Sequence, residues 1–165
     1  MYYYVILSLL GVGGLILQST ILSHLTIAGV KPDILLIIVV FNSLFKGPFK
    51  GSLFGFFLGL VEDIFLGKYI GMNALAKGII SFIWGWLTEG AFRENLLVPV
   101  VSLFLASILN GVIIILLGEV AGLNWNWGLF FWKVIPVAIC NTCLVPFVYS
   151  HFYKGVTMDT KEQAL

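Results

Sequence analysis

The stretch "GSLFGFFLGLVEDIFLGKYIGMNALAKG" (Gly51 to Gly78) holds two apolar runs joined by a short turn. Each run has the length and character of a helix in an apolar setting, yet Glu62, Asp63 and Lys77 stand inside or beside the runs. Elsewhere in the chain, charge is mostly kept to the joints between apolar segments. Whatever fold this stretch adopts must place those three charges at the depth of apolar helices.

The composition sets the class. The chain has 165 residues, of which 60% are hydrophobic and 10% charged, with a mean hydropathy of +1.06. A soluble domain of this size could not cover its surface with so few charges. The sequence therefore predicts an all-α integral membrane protein. An aromatic content of 15% fits, because Trp and Tyr settle at the two membrane interfaces. A net charge of +1 leaves no basic surface for nucleic acid. No segment is long and polar enough to form a soluble domain, so partners must be met through helices, short loops or the tail. The opening "MYYYVILSLLGVGGLILQSTIL" has no basic leader and too long an apolar run for a cleavable signal. It reads as a retained first helix.

A spanning helix needs roughly 20 mostly apolar residues. Six segments are expected in a single transmembrane domain covering residues 1–165: about 3–22, 32–45, 51–66, 73–88, 96–118 and 129–152, with a short cytoplasmic tail at 154–165. The piece "SHLTIAGVK" lies between the first two at the interface, and "KGPFK" reads as a turn. Segments two to four are shorter than an ideal span. They form either a re-entrant hairpin plus a helix or full spans extended by their flanks, and six spans are preferred. With the N-terminus inside, Lys46, Lys50, Arg93, Lys154 and Lys161 are cytoplasmic, against Lys31, Lys68 and Lys133 outside. Both termini are then cytoplasmic. Trp125, Trp127 and Trp132 form an outer aromatic belt, with Trp84, Trp86, Tyr149 and Tyr153 toward the inner one.

Gly47, Gly51, Gly55 and Gly59 recur at every fourth position, and Asp63 and Gly67 continue the register. On a helix each such step drifts by about 40°, giving a slowly winding ridge. Small residues let apolar helices approach closely in lipid, so the ridge is expected to pack on a neighbour, in this chain or in a partner. The third segment runs outward and the fourth returns, which allows an Asp63–Lys77 pair across the hairpin. Neighbouring residues on a helix point about 100° apart, so Glu62 is expected to face elsewhere, toward the interface or a cavity. Charges at membrane depth usually face a bundle interior or a wet cavity. The polar cluster Glu62, Asp63, Asn73 and Lys77 is thus either a binding or partner site or a satisfied pair that fixes the hairpin. Asn42, Asn110 and Asn141 are expected to make helix-to-helix hydrogen bonds.

No catalytic constellation is apparent. His24 and His151 fall at opposite membrane faces, and no phosphate loop or nucleophile elbow is present. Cys140 and Cys143 form a single CxxC inside an apolar helix. Without a second pair to complete a zinc site, they read as small packing residues. No metal or cofactor is expected.

Three motifs carry a resemblance. "KPDILLIIVVFNSLFKG", "GSLFGFFLGLVEDIFLG" and "GMNALAKGIISFIWG" follow one another over about residues 31–86. Their shared elements are Pro32 and Asp33, then Gly59, Leu60 and Asp63, then Gly71, Asn73, Ala74 and Leu75. In order and spacing they resemble the bacterial rod shape-determining protein MreD family. The resemblance carries no role over to Glu62 or Lys77. It implies a non-enzymatic part of the cell-elongation machinery, multi-pass in the bacterial cytoplasmic (inner) membrane. The implied partners are the bitopic protein MreC, the actin-like MreB, and the wall synthases RodA and a penicillin-binding protein, with membrane lipid around them. The family is also similar in fold to the substrate-binding subunits of energy-coupling-factor vitamin transporters. A ligand-binding subunit of that kind is the alternative, with Asp63, Asn73 and Lys77 as its pocket. The sequence leans to a scaffold, since a pocket needs several convergent polar groups and the glycine ridge already supplies a packing face. The ridge and the Asp63 region are expected to meet the MreC-like partner or to hold this chain's own bundle.

Overall fold

Asp33 starts the first helix described along its whole length. Its side chain accepts from the Leu36 amide at 2.8 Å, satisfying one of the open amides of the first turn. The helix, α1 (Ile34–Lys46), then runs through ten consecutive buried residues, Leu35 to Leu44. A helix buried on every side must be surrounded, and α1 is touched by each of the four other long helices among the described residues. These are α2 (Pro48–Leu66), α3 (Met72–Leu87), α4 (Leu97–Val120) and α5 (Ile135–Glu162). The computed structural model describes residues 11, 13–16, 18, 31–67, 69–89, 97–123, 125 and 128–162. They are helical apart from short connections, with no strand among the described residues. The rest of the first segment, the 23–30 piece, Lys68, Arg93, Trp127 and most of the joint before α4 lie outside them. Of the first segment, Gly11 lies against Leu58 and Gly14 against Ile34, and Leu15 joins the core.

One residue separates α1 from α2. Gly47 has φ +85° and donates its amide to Ser43 O. Pro48 then starts α2 where its missing N–H costs nothing and its fixed φ suits a helix. The "KGPFK" turn is thus a single glycine, and Gly47 leaves the ridge that the spacing assigned to it. A Cβ at Gly47 would meet nothing within 4 Å. The four-residue spacing simply runs across a helix boundary. Gly67 (φ +64°) ends α2 and Gly71 (φ +102°) precedes α3, so the hairpin loop is closed by two left-handed glycines.

α2 and α3 pack together most extensively, and glycine sets their distance. A Cβ on Gly55 would strike Ser81 Oγ and come within 2.8 Å of Lys77 O. One on Gly59 would lie 2.5 Å from Asn73 O and 2.7 Å from Ala74 Cα. Gly51 faces the other way along the same ridge, against Ser43 of α1. Gly85 of α3 answers it from the opposite side, against Pro48. The ridge therefore meets helices of this chain.

The last helix begins as a π turn, Phe130–Val134, where the Ile135 amide reaches back to Phe130 O. Pro136 follows; it has no amide to give, and its ring crowds the carbonyl four residues back, which favours a wider turn upstream. α5 continues past Pro146 to Glu162, so helix extends through positions 154–162, where the sequence suggests a tail. α4 is 24 residues long and is the one described helix long and apolar enough by itself to cross a membrane. Trp84 is buried, whereas Trp86 and Trp132 are exposed. Trp125 covers Gly118 and meets Tyr69 edge-on. Cys140 and Cys143 are free thiols, half-buried and exposed respectively.

Candidate functional site

The N-terminus of α1, the last turn of α2 and the start of α3 meet at one end of the bundle. Lys77 lies on α3, fully buried. Its Nζ stands 2.6 Å from Glu62 Oε2 and 3.0 Å from Asp33 Oδ2. Glu62 is 4% and Asp63 2% exposed. Both adjacent carboxylates of α2 thus face the interior, on different partners. The close approach at Gly55 and Gly59 is what brings the α3 lysine within reach of α2.

Asp63 does not pair with Lys77, as the hairpin geometry suggested. Its Oδ2 accepts from the Gly71 amide at 2.9 Å and the Ala74 amide at 3.1 Å. Its Oδ1 accepts from the Asn73 amide at 3.2 Å and from Asn73 Nδ2 at 2.8 Å. Gly71, at the cap position of α3, has no side chain to offer. Asp63 reaches from the preceding helix and caps α3 in its place, with its charge at the positive end of the helix dipole. The glycine-hinged loop folds the start of α3 back over Asp63, which fixes this partner. Glu62, longer by one methylene and about 100° around the helix, takes the lysine.

Asp33 extends the arrangement. Its backbone N–H donates to Asn141 Oδ1 of α5 at 2.8 Å, and Asn141 Nδ2 donates to Ser107 Oγ of α4 at 3.0 Å. Three carboxylates and one ammonium are gathered here. The α1 amide that Asp33 accepts and the α3 amides on Asp63 supply the remaining positive character. A buried carboxylate without such partners costs several kcal/mol.

Asp63, Asn73, Glu62 and Lys77 are therefore brought together, but as two linked arrangements. Gly51, Gly55 and Gly59 line the α2 face beneath them, and Gly47 does not. Asn141 bridges two helices, while the buried Asn110 Oδ1 finds no protein hydrogen bond. Asp33 is the site residue that sequence reasoning left in a motif without a role. An acid directly before an apolar run is the N-cap signature, and that signal was available. Ser107 carries no such signal, being one small residue in a long apolar helix.

Around the apolar core of α1, the outer faces of the surrounding helices are apolar too. On α2 the exposed residues include Leu53, Phe57, Val61 and Ile64, and the buried ones are Gly51, Gly55, Leu58, Gly59, Glu62 and Asp63. α3 and α4 repeat this, exposing Leu75, Phe82, Leu97 and Leu105 while burying Lys77, Ser81, Ser107 and Asn110. The class defined is a helical bundle with apolar outer faces, an apolar core built on α1, and a buried cluster of charged and small residues at one end. The chain belongs to the rod shape-determining protein MreD family, which it matches over residues 1–155. The family is membrane-associated and gives the chain a role in rod shape determination. Comparison with curated proteins and with solved structures gives no match. The likeness in fold to vitamin-transporter subunits thus has no structural support.

Proposed function

We propose that this protein is a non-enzymatic, multi-pass component of the bacterial cell-elongation complex in the cytoplasmic membrane. It binds an MreC-like bitopic protein and helps to organise MreB, RodA and a penicillin-binding protein for lateral peptidoglycan synthesis. The observation that carries this reading is the family match over residues 1–155. The site supports it in a second way. Lys77, Glu62 and Asp33 are engaged with one another, and Asp63 and Asn73 likewise. The polar groups that a vitamin pocket would need are already used to hold helices together. Exposed apolar helix faces remain for lipid and for the helices of partners.

The test is purification of the tagged chain from its own cells in mild detergent, with identification of the proteins that accompany it. Recovery of the MreC-like protein with RodA and a penicillin-binding protein is expected. Recovery of two ATPase subunits and a membrane coupling subunit instead would make the chain a transporter component and end the scaffold reading.

A further inference from the structure

The bonds at this site form one continuous path. Ser107 of α4 accepts from Asn141 of α5, Asn141 accepts from the backbone of Asp33, Asp33 accepts from Lys77 of α3, and Lys77 donates to Glu62 of α2. Each of the five helices contributes one residue. The path divides at Asp33. On one side lies the α2–α3 hairpin, and on the other lie α4 and α5. α2 packs against α1 and α3 rather than against α4 or α5. α3 also packs directly on α4, so Glu62 and Asn141 are linked by helix contacts as well, and the bonded path through Asp33 is the route that an Asp33→Ser background isolates.

Asp33 is suited to act as a joint. It uses its backbone N–H toward α5, one carboxylate oxygen to cap α1, and the other to hold Lys77. Any shift of α3 along its axis moves the Lys77 ammonium, which pulls on the same side chain that fixes the first turn of α1. That first turn in turn sets where the Asp33 N–H meets Asn141. Hydrogen bonds among charged and polar groups are stronger away from water and polarise one another, so a break at one bond is felt at the next. Apolar contacts are non-directional and slide more readily than a charge-assisted bond with fixed geometry.

We infer that Asp33 mechanically couples the two halves of the bundle, so that a disturbance of the α2–α3 hairpin at Glu62 is transmitted to the Ser107–Asn141 contact between α4 and α5, and the reverse. This would let a partner seated on one half alter the surface that the other half presents. The coupling is a property of the chain alone and does not depend on which partner that is.

The test is hydrogen exchange on the purified full chain in detergent, read by mass spectrometry. Glu62→Gln is the disturbance, and peptides covering 103–112 and 138–145 are the readout. Exchange there is expected to quicken at least about threefold, the lower range of coupling through packed polar networks. The same disturbance is then made in an Asp33→Ser background. Serine keeps the N-cap of α1 and leaves the backbone N–H for Asn141, but it lacks the second oxygen that holds Lys77. The transmitted change should fall to background. Because coupling is reciprocal, Asn141→Ala should quicken exchange in a peptide covering 58–66, and Asp33→Ser should remove that response as well. This second direction serves if the first double variant does not fold. No response at the distant peptides in the Asp33 background would overturn the inference. So would an equal response in the Asp33→Ser background, which would mean that helix packing alone carries the coupling.

Discussion

Lys77, itself fully buried, holds the buried Glu62 and the part-buried Asp33 carboxylate. Removing one partner of a buried ion pair costs about 3–5 kcal/mol, because the other charge stays behind unpaired. Lys77→Met should therefore destabilise the bundle by roughly that amount, as followed by thermal unfolding through tryptophan fluorescence. Adding Glu62→Gln to Lys77→Met should restore part of the loss, since one of the stranded charges is then gone. A Lys77→Met protein that unfolds with the parent would show that Glu62 and Asp33 have other partners, and the ion-pair account would fail. At this scale the sequence was legible in which residues matter and not in who meets whom. The spacing of Asp63 along the glycine ridge points it inward, and its carboxylate is buried. Spacing could not reveal that Gly67 and Gly71 bend the loop so that the α3 amides, rather than the α3 lysine, arrive at that carboxylate. The divergence of neighbours on a helix points Glu62 toward the interface or a cavity rather than toward Lys77. They do diverge, but α1 with its Asp33 and α3 with its Lys77 stand on the second side, so two directions are buried instead of one.

Between α2 and α3 the decisive quantity is the distance between backbones. Asn73 O and Ala74 Cα lie 2.5 Å and 2.7 Å from where a Gly59 Cβ would stand. Both atoms belong to a helix backbone and cannot swing aside. Gly59→Ala should therefore cost about 1–3 kcal/mol as the helices are forced apart, and Lys77 should lose its hold on Glu62. Gly13→Ala is the control, since that helical glycine has nothing within 4 Å of its Cβ. It should be neutral or stabilising by about 0.5–1 kcal/mol, because alanine orders more readily in a helix. Equal melting of the two variants would mean that the ridge does not set the helix distance. The periodicity announced this ridge at three of its four positions. It failed at Gly47 because spacing counts residues and cannot see that the helix stops and restarts around a glycine with positive φ. The proline after it was the available sign, being at home in a first helical turn. The extension of α5 was less legible, because the polar residues near the end of the chain resemble a tail whether or not the backbone stays helical.

The whole molecule turns large apolar side chains outward around its core, and this is where the membrane reading is exposed to test. Phe57 stands near the middle of α2 and is 56% exposed, on the side opposite Gly55 and Gly59. If that face meets water, a carboxylate there should be harmless, because surface substitutions usually change stability by less than about 0.5 kcal/mol. If it meets acyl chains, the same carboxylate costs about 2.5–3.5 kcal/mol at the centre of a spanning helix. The interior cannot rescue it, since Lys77 is already engaged by Glu62 and Asp33. Phe57→Asp should accordingly lower the amount of protein in the membrane fraction, and cells depending on it should lose their rod form. Phe57→Leu at the same position should leave both unchanged. Composition made the apolar exterior legible from the start, but it could not say that α1, the shortest helix of the described bundle, is the one buried on all sides. An unbroken apolar run does not settle it, since α4 has a longer one and still exposes Leu97, Val101, Leu105 and Leu116. A central helix of 13 residues rises only about 20 Å, less than the roughly 30 Å of a bilayer's apolar core. If the bundle spans a membrane, one end of α1 falls short of an interface, and at its Asp33 end the α3 lysine holds the carboxylate and the α5 asparagine the backbone N–H. Normal membrane levels and normal rods from Phe57→Asp would place this face against something other than lipid, and the multi-pass reading of α2 would have to be given up.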